Sequence, residues 1–137
     1  MSLPTEQQIE LQVQKAIRQA EDDLVMWIQD ALDKTKYGDL EESQFRNLVR
    51  VADTTDSAEV IKNFIRYQVG RDKKWGRGKD SLAEKIVQDI DGNIKNTAQN
   101  IAESSQNDFK QIWLELIRRY LGYGSRYLKY LRDGNKV

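Results

Sequence analysis

The chain has no cysteine and no histidine among its 137 residues, and a single proline, Pro4. Without cysteine there is no thiolate nucleophile, disulfide, zinc-thiolate site or iron–sulfur cluster. Without histidine the commonest general base and transition-metal ligand is gone as well. Most familiar enzyme classes are disfavoured, and no cofactor is expected. There is also no run of about 18 consecutive apolar residues, and the amino terminus has neither a basic segment nor an apolar one of signal-peptide type. The expectation is a soluble cytoplasmic protein with no membrane partner.

Charge, by contrast, is abundant and balanced, with 22 basic and 22 acidic side chains. Its distribution is segmented. Residues 1–34 carry a net of 4 negative, 35–79 a net of 3 positive, 80–108 a net of 4 negative and 109–137 a net of 5 positive. Local positive potential attracts phosphates whatever the total charge, so two basic centres on an acidic body suit a polyanion. Helices that neutralise one another produce the same pattern.

With proline confined to position 4 and no strict alternation of apolar and polar residues, the pattern is helical throughout. The chain is expected to be all-α, one domain over 1–137, an irregular antiparallel bundle of about five helices. Thr5 and Gln8 form a capping box ahead of Ile9, Val13, Ile17, Ala20, Leu24, Trp27 and Ala31, a stripe ending near Lys34. Asp39 with Glu42 starts a short second helix on Phe45, Leu48, Val49 and Ala52. Asp56 with Glu59 starts a third on Val60, Ile61, Phe64, Ile65 and Val69, with Gly70 as its C′ residue. Ser81 with Glu84 opens a fourth along Leu82, Ile86, Ile90, Ile94, Ala98 and Ile101, in which Gly92 is a weak point. Asn107 is placed to cap the last helix, whose stripe is Phe109, Trp113, Leu116, Ile117, Tyr120, Tyr127, Leu128 and Leu131. Between the third and fourth helices lies the one clear loop, near 71–80, with Gly76, Gly78 and no apolar periodicity.

Several motifs fail on inspection. Gly76-Arg77-Gly78-Lys79 has the flavour of a phosphate loop, but Lys73 stands where the first glycine belongs and Asp80 where the hydroxyl belongs, and no strand precedes it. Asp89, Asp91 and Gly92 suggest part of a calcium loop, yet its twelfth position is Asn100. The adjacent carboxylates Asp22–Asp23 and Glu41–Glu42 are expected as solvated acids, with no general acid or base role.

Three basic regions are better candidates. On the last helix, Arg119, Tyr123, Arg126 and Tyr130 cluster about 120° from the core stripe, flanked by Arg118 and Lys129. Guanidinium and phenol groups interleaved in this way suit phosphate contacts and stacking. The alternative is that the tyrosines pack on neighbours while the arginines pair with acids of the first or fourth helix. On the second helix the face opposite the core presents Ser43, Arg46, Asn47 and Arg50, fit for a phosphate backbone or simply solvated. The loop contributes Lys73, Lys74, Arg77 and Lys79, on the expectation that an unstructured basic segment orders on phosphates. Trp75 within it either stacks on a base or anchors the loop.

Leu40-Glu41-Glu42-Ser43-Gln44-Phe45-Arg46-Asn47-Leu48 resembles a Leu-x-x-Ser-x-x-Arg-Asn-Leu pattern near the start of the small helical subunit of type III-A CRISPR effector (Csm) complexes. Tyr67-Gln68-Val69-Gly70-Arg71 is similar to that family's Tyr-x-x-Gly-Arg at the end of its next long helix. The aromatic stretch Phe109 to Leu131 resembles its closing helix, and the three elements occur in family order. The spacing from Asn47 to Tyr67 is shorter than the family's. Gly122 and Gly124 stand where small or apolar residues continue the helix, and the first helix has no counterpart, so a related type III small subunit fits as well. The resemblance implies a subunit without an active site, present in several copies along guide RNA and target RNA beside other effector subunits. It places Arg46, Asn47 and Arg71 at the RNA. For Arg71 the alternative is pairing with a nearby acid or the last helix carbonyls. Alternating charge blocks would suit head-to-tail self-association. The competing expectation is a helical protein–protein interaction module with no nucleic-acid role.

Overall fold

The computed structural model describes residues 5–105 and 107–134. Pro4 lies outside them. The elements in chain order are α1 (Glu6–Lys34), α2 (Glu42–Thr54), α3 (Ala58–Arg71), α4 (Leu82–Asp89), a π-helical turn (Ile90–Ile94), α5 (Lys95–Ser105) and α6 (Phe109–Asp133). The all-α bundle expected from the periodicity is what forms. Among the described residues the only extended pairing is a single parallel bridge between Lys36 and Ser81.

α6 is the spine, packed against α1, α2 and α5. Its buried Ile112, Leu116, Ile117, Tyr120, Leu121 and Leu128 meet the α1 stripe Val13, Ile17, Ala20, Leu24, Ile28, Ala31 and Leu32. Gly124 sits where three helices crowd. A Cβ there would come within 2.6 Å of Ile28 and 2.7 Å of Phe45, so only glycine permits α1 and α2 to close on α6 at this level.

The first and fourth start signals form as expected: Thr5 and Gln8 exchange capping hydrogen bonds, and Ser81 Oγ accepts from Glu84 N–H at 3.1 Å. Others shift by a residue or two. The α2 cap is Glu41, whose N–H donates to Gln44 Oε1, rather than Asp39. Ser57 caps α3 in place of Asp56, and Asp108 caps α6 in place of Asn107, which supports it by accepting the Asp108 N–H. Gly70 is not a C′ residue: α3 continues through Arg71 to a cap at Asp72.

The expected fourth helix is divided at its weak point. α4 passes into the π turn and then α5 with right-handed helical backbone at both joints. The apolar spacing explains why. Leu82, Ile86, Ile90, Ile94 and Ala98 recur every four residues, and in a straight α-helix that stripe would drift by about 160° over its length. The wider turn takes up the extra residue and holds all five in the core, each at 0% exposure. The Ile90 carbonyl in that turn accepts the Trp113 indole N–H at 2.9 Å.

Candidate nucleic-acid interface

The α2–α6 pair gathers most of the basic residues picked out in the sequence. The apolar positions of α2, Phe45, Leu48 and Ala52, are fully buried, so Ser43, Arg46, Asn47 and Arg50 turn outward. Arg50 Nη1 donates to Asn47 Oδ1 at 3.2 Å, and Arg46 pairs with Glu42 at 2.8 Å. Across from them, a groove of about 310 Å³ is lined by Val49 and Asp53 of α2 and by Arg118, Arg119, Gly122, Tyr123 and Arg126 of α6. Arg46, Val49, Arg50 and Asp53 share one strip of α2, because residues three and four apart stack on a helix. Arg46 and Arg50 therefore stand along the groove's lip.

The arginines of this groove divide by what already holds them. Arg118 donates from Nε to Ala52 O at 2.8 Å and from Nη2 to Thr55 O at 2.9 Å, capping the last carbonyls of α2. Arg119 pairs with Glu21 of α1 and, at 2.9 Å, with Glu115. Burial works against its charge, but the hydrogen bond and attraction of Glu115, with Glu21 adding to them, hold its pKa above the ordinary arginine value. Arg126 is exposed, its guanidinium lying 6.0 Å from the centre of the Tyr123 ring. Lys129 is exposed and pairs with Asp133 one turn on. Arg50 and Arg126 thus present charge to solvent with no acidic partner among the described residues, Arg46 and Lys129 are exposed but paired, and Arg118 and Arg119 make the floor.

The tyrosines of α6 follow the internal alternative. Tyr123 donates to Glu21 at 2.9 Å, and Tyr127 donates to Asp33 at 2.8 Å. Tyr120, fully buried, donates to Asp89 at 2.6 Å, and its hydroxyl is pushed well above the usual range by burial and by that carboxylate. Only Tyr130 projects, 56% exposed and stacked beside Tyr127 at 5.9 Å. Along this edge α6 thus meets α1 through one ion pair, Arg119 with Glu21, and through the hydroxyls of Tyr123 and Tyr127 on Glu21 and Asp33.

The expected unstructured basic loop is a folded one. Trp75 is 1% exposed and stacked on Phe45 at 5.4 Å, so it anchors the loop rather than offering a ring to a base. Its carbonyl accepts from Ala83 N–H, and the Lys74 carbonyl accepts from Gly38 N–H. Gly76 has φ +80°, and a Cβ there would lie 2.3 Å from the Lys36 carbonyl, so the turn admits no side chain. Arg77 Nε donates to Val69 O at 3.2 Å, which gives Arg77 the helix-end role weighed for Arg71. Arg71, Lys73 and Lys79 are exposed and Lys74 is half-buried. The anchored backbone places the three lysines by the α1–α2 connection, Arg71 ends α3, and none of the four lines the Arg118–Arg126 groove.

Arg132 escaped notice in the sequence. It donates to Leu40 O at 2.8 Å and Gly38 O at 3.1 Å, tying the end of α6 to the connection before α2. Its position beyond the last core residue gave no signal. Among the described residues no three acids are gathered as a metal would need, and no helix is long and apolar enough to cross a membrane. Comparison of the chain with family models, with curated proteins and with solved structures finds no match.

Proposed function

We propose that the chain is a non-catalytic RNA-binding small subunit of a type III CRISPR ribonucleoprotein, contacting the backbones of guide and target RNA without reading bases. The observation that carries this is the α2–α6 groove, lined by Arg126, with Arg46, Arg50 and Lys129 exposed on the same two core-packed helices. Side chains of this kind bind phosphates at fixed spacing and are indifferent to sequence. The Leu-x-x-Ser-x-x-Arg-Asn-Leu resemblance is consistent with it: Leu40 and Leu48 are buried, whereas Ser43, Arg46 and Asn47 face out.

The test is fluorescence anisotropy of a labelled single-stranded RNA, titrated at several salt concentrations. Affinity should fall steeply with salt and be nearly equal for unrelated sequences. The double variant R50E/R126E should bind about tenfold more weakly at low salt, with the log–log salt slope smaller by about 1.4, as expected for two lost phosphate contacts. Unchanged affinity in that variant removes the groove from the interface.

One feature favours the second reading, a protein-interaction module. On α3, Val60 and Tyr67 are 46% and 60% exposed, and Tyr67 packs on Phe64. A pull-down from the native cell separates the two. Guide RNA with other effector subunits supports the first, and unrelated proteins without RNA support the second.

A further inference from the structure

A second concavity, of about 490 Å³, lies between the end of α1 and the start of α4 and takes no residue from the α2–α6 groove. Four lysines from separate segments converge on it: Lys34 on α1, Lys36 in the α1–α2 connection, Lys79 in the loop and Lys85 on α4. Against them stand two carboxylates, Asp30 and Asp80, and one wall is Trp27.

The wall is built, not incidental. The Lys36 N–H donates to Asp80 O at 2.8 Å, and Lys36 O accepts from Leu82 N–H at 3.3 Å, so a backbone bridge clamps the two lysine-bearing segments together. Gly76, which admits no Cβ, lets the loop approach closely enough for that bridge. Two of the lysines are occupied: Lys34 pairs with Asp30 at 3.4 Å and Lys85 with the buried Asp89 at 3.1 Å. Lys36 and Lys79 have no hydrogen-bond or ion-pair partner for their ammonium groups among the described residues. With Asp30 taken up by Lys34, the cleft keeps two unpaired ammonium groups against the single carboxylate of Asp80, a local excess of positive charge that attracts an anion.

From this we infer that the cleft binds the phosphate chain of a nucleotide, either free or at the 5′ end of an RNA strand. Lys36 and Lys79 hold the phosphates as point charges, the Asp80 carboxylate accepts from ribose hydroxyls, and Trp27 covers the base. The volume falls within the usual range for small-molecule sites. The Gly76–Lys79 stretch that lacks the spacing of a phosphate loop still delivers its lysine to phosphates, by a different backbone.

Isothermal titration calorimetry with metal-free ATP at low salt tests the site. Wild type should bind one equivalent, and inorganic tripolyphosphate at least tenfold more weakly. K36Q/K79Q, which alters two exposed side chains and should keep the wild-type melting temperature, should lose at least tenfold in ATP affinity. R50E/R126E should bind ATP as wild type does, which keeps this site separate from the RNA groove. An oligoribonucleotide bearing a 5′ triphosphate that competes at least tenfold better than ATP assigns the cleft to a strand end, and weaker competition assigns it to a free nucleotide. Absence of ATP binding, unchanged affinity in K36Q/K79Q, or equal affinity for ATP and tripolyphosphate overturns the inference.

Discussion

Gly122 and Gly124 stand two residues apart on α6 in opposite surroundings. A Cβ on Gly122 would meet nothing within 4 Å, whereas one on Gly124 would press into Ile28 and Phe45. Gly124→Ala should therefore destabilise by about 2 kcal/mol through overpacking. Gly122→Ala should stabilise by up to about 1 kcal/mol through helix propensity. Urea unfolding of both variants checks the pair, and equal effects would mean that α1 and α2 do not close on Gly124 as described. Tyr127 gives a second residue-scale expectation. Its hydrogen bond to Asp33, with burial adding to it, raises the phenol from 10.0 to about 12. A folded pKa above the unfolded one means that this contribution is whole below pH 10 and disappears as pH rises toward 12. Tyr127→Phe should flatten the fall in stability over that window, read from urea midpoints at successive pH values. Neither the Tyr127–Asp33 nor the Tyr123–Glu21 pairing was legible beforehand: helical spacing placed Tyr127 on the core stripe and Tyr123 beside Arg119, but it carries no information about which acid of α1 lies opposite.

At the scale of the element, the π turn shows how much of a helix periodicity reveals. The stripe from Leu82 to Ile101 announced a helix and its buried face, and Gly92 marked the weak point. The four-residue rhythm that demands a wider turn was present too, but shows its meaning only when the drift is followed over the whole stripe. Trp113→Phe keeps a ring against Phe109, which Trp113 stacks on at 5.5 Å, and removes the indole donor to Ile90. A loss of about 1 kcal/mol is expected, with faster amide exchange confined to residues 90–94. If exchange accelerates evenly along α4 and α5, the indole does not hold the turn. Caps were read less well than faces. Asp39, Asp56 and Asn107 each lost the role to a neighbour, because several residues near each helix start are competent N-caps and the packing of the helix decides among them.

For the molecule as a whole, the segmented charge serves two ends. Two of the seven acids of α1 are met by α6, Glu21 by Arg119 and Tyr123 and Asp33 by Tyr127. The basic excess that remains is displayed at the α2–α6 groove and around the loop. Counting charges along the chain located both basic regions but could not say which cations are already held, since Arg118, Arg119 and Arg77 look no different in sequence from Arg126 or Arg71. The loop was the largest departure, because a stretch with glycines, four cations and one tryptophan reads as solvated until Trp75 is seen stacked on Phe45. That placement bears on proteolysis. Trypsin should find Lys73, Lys74, Arg77 and Lys79 an inviting run, yet a protease needs its substrate strand free, and here the strand is pinned through Trp75 and its carbonyl. Cleavage should wait on an opening that pulls Trp75 from its seat, so the digestion rate becomes a gauge of that opening. Trp75→Ala should turn the run into the first nick site in native buffer, mapped by mass spectrometry, while the wild-type chain resists there.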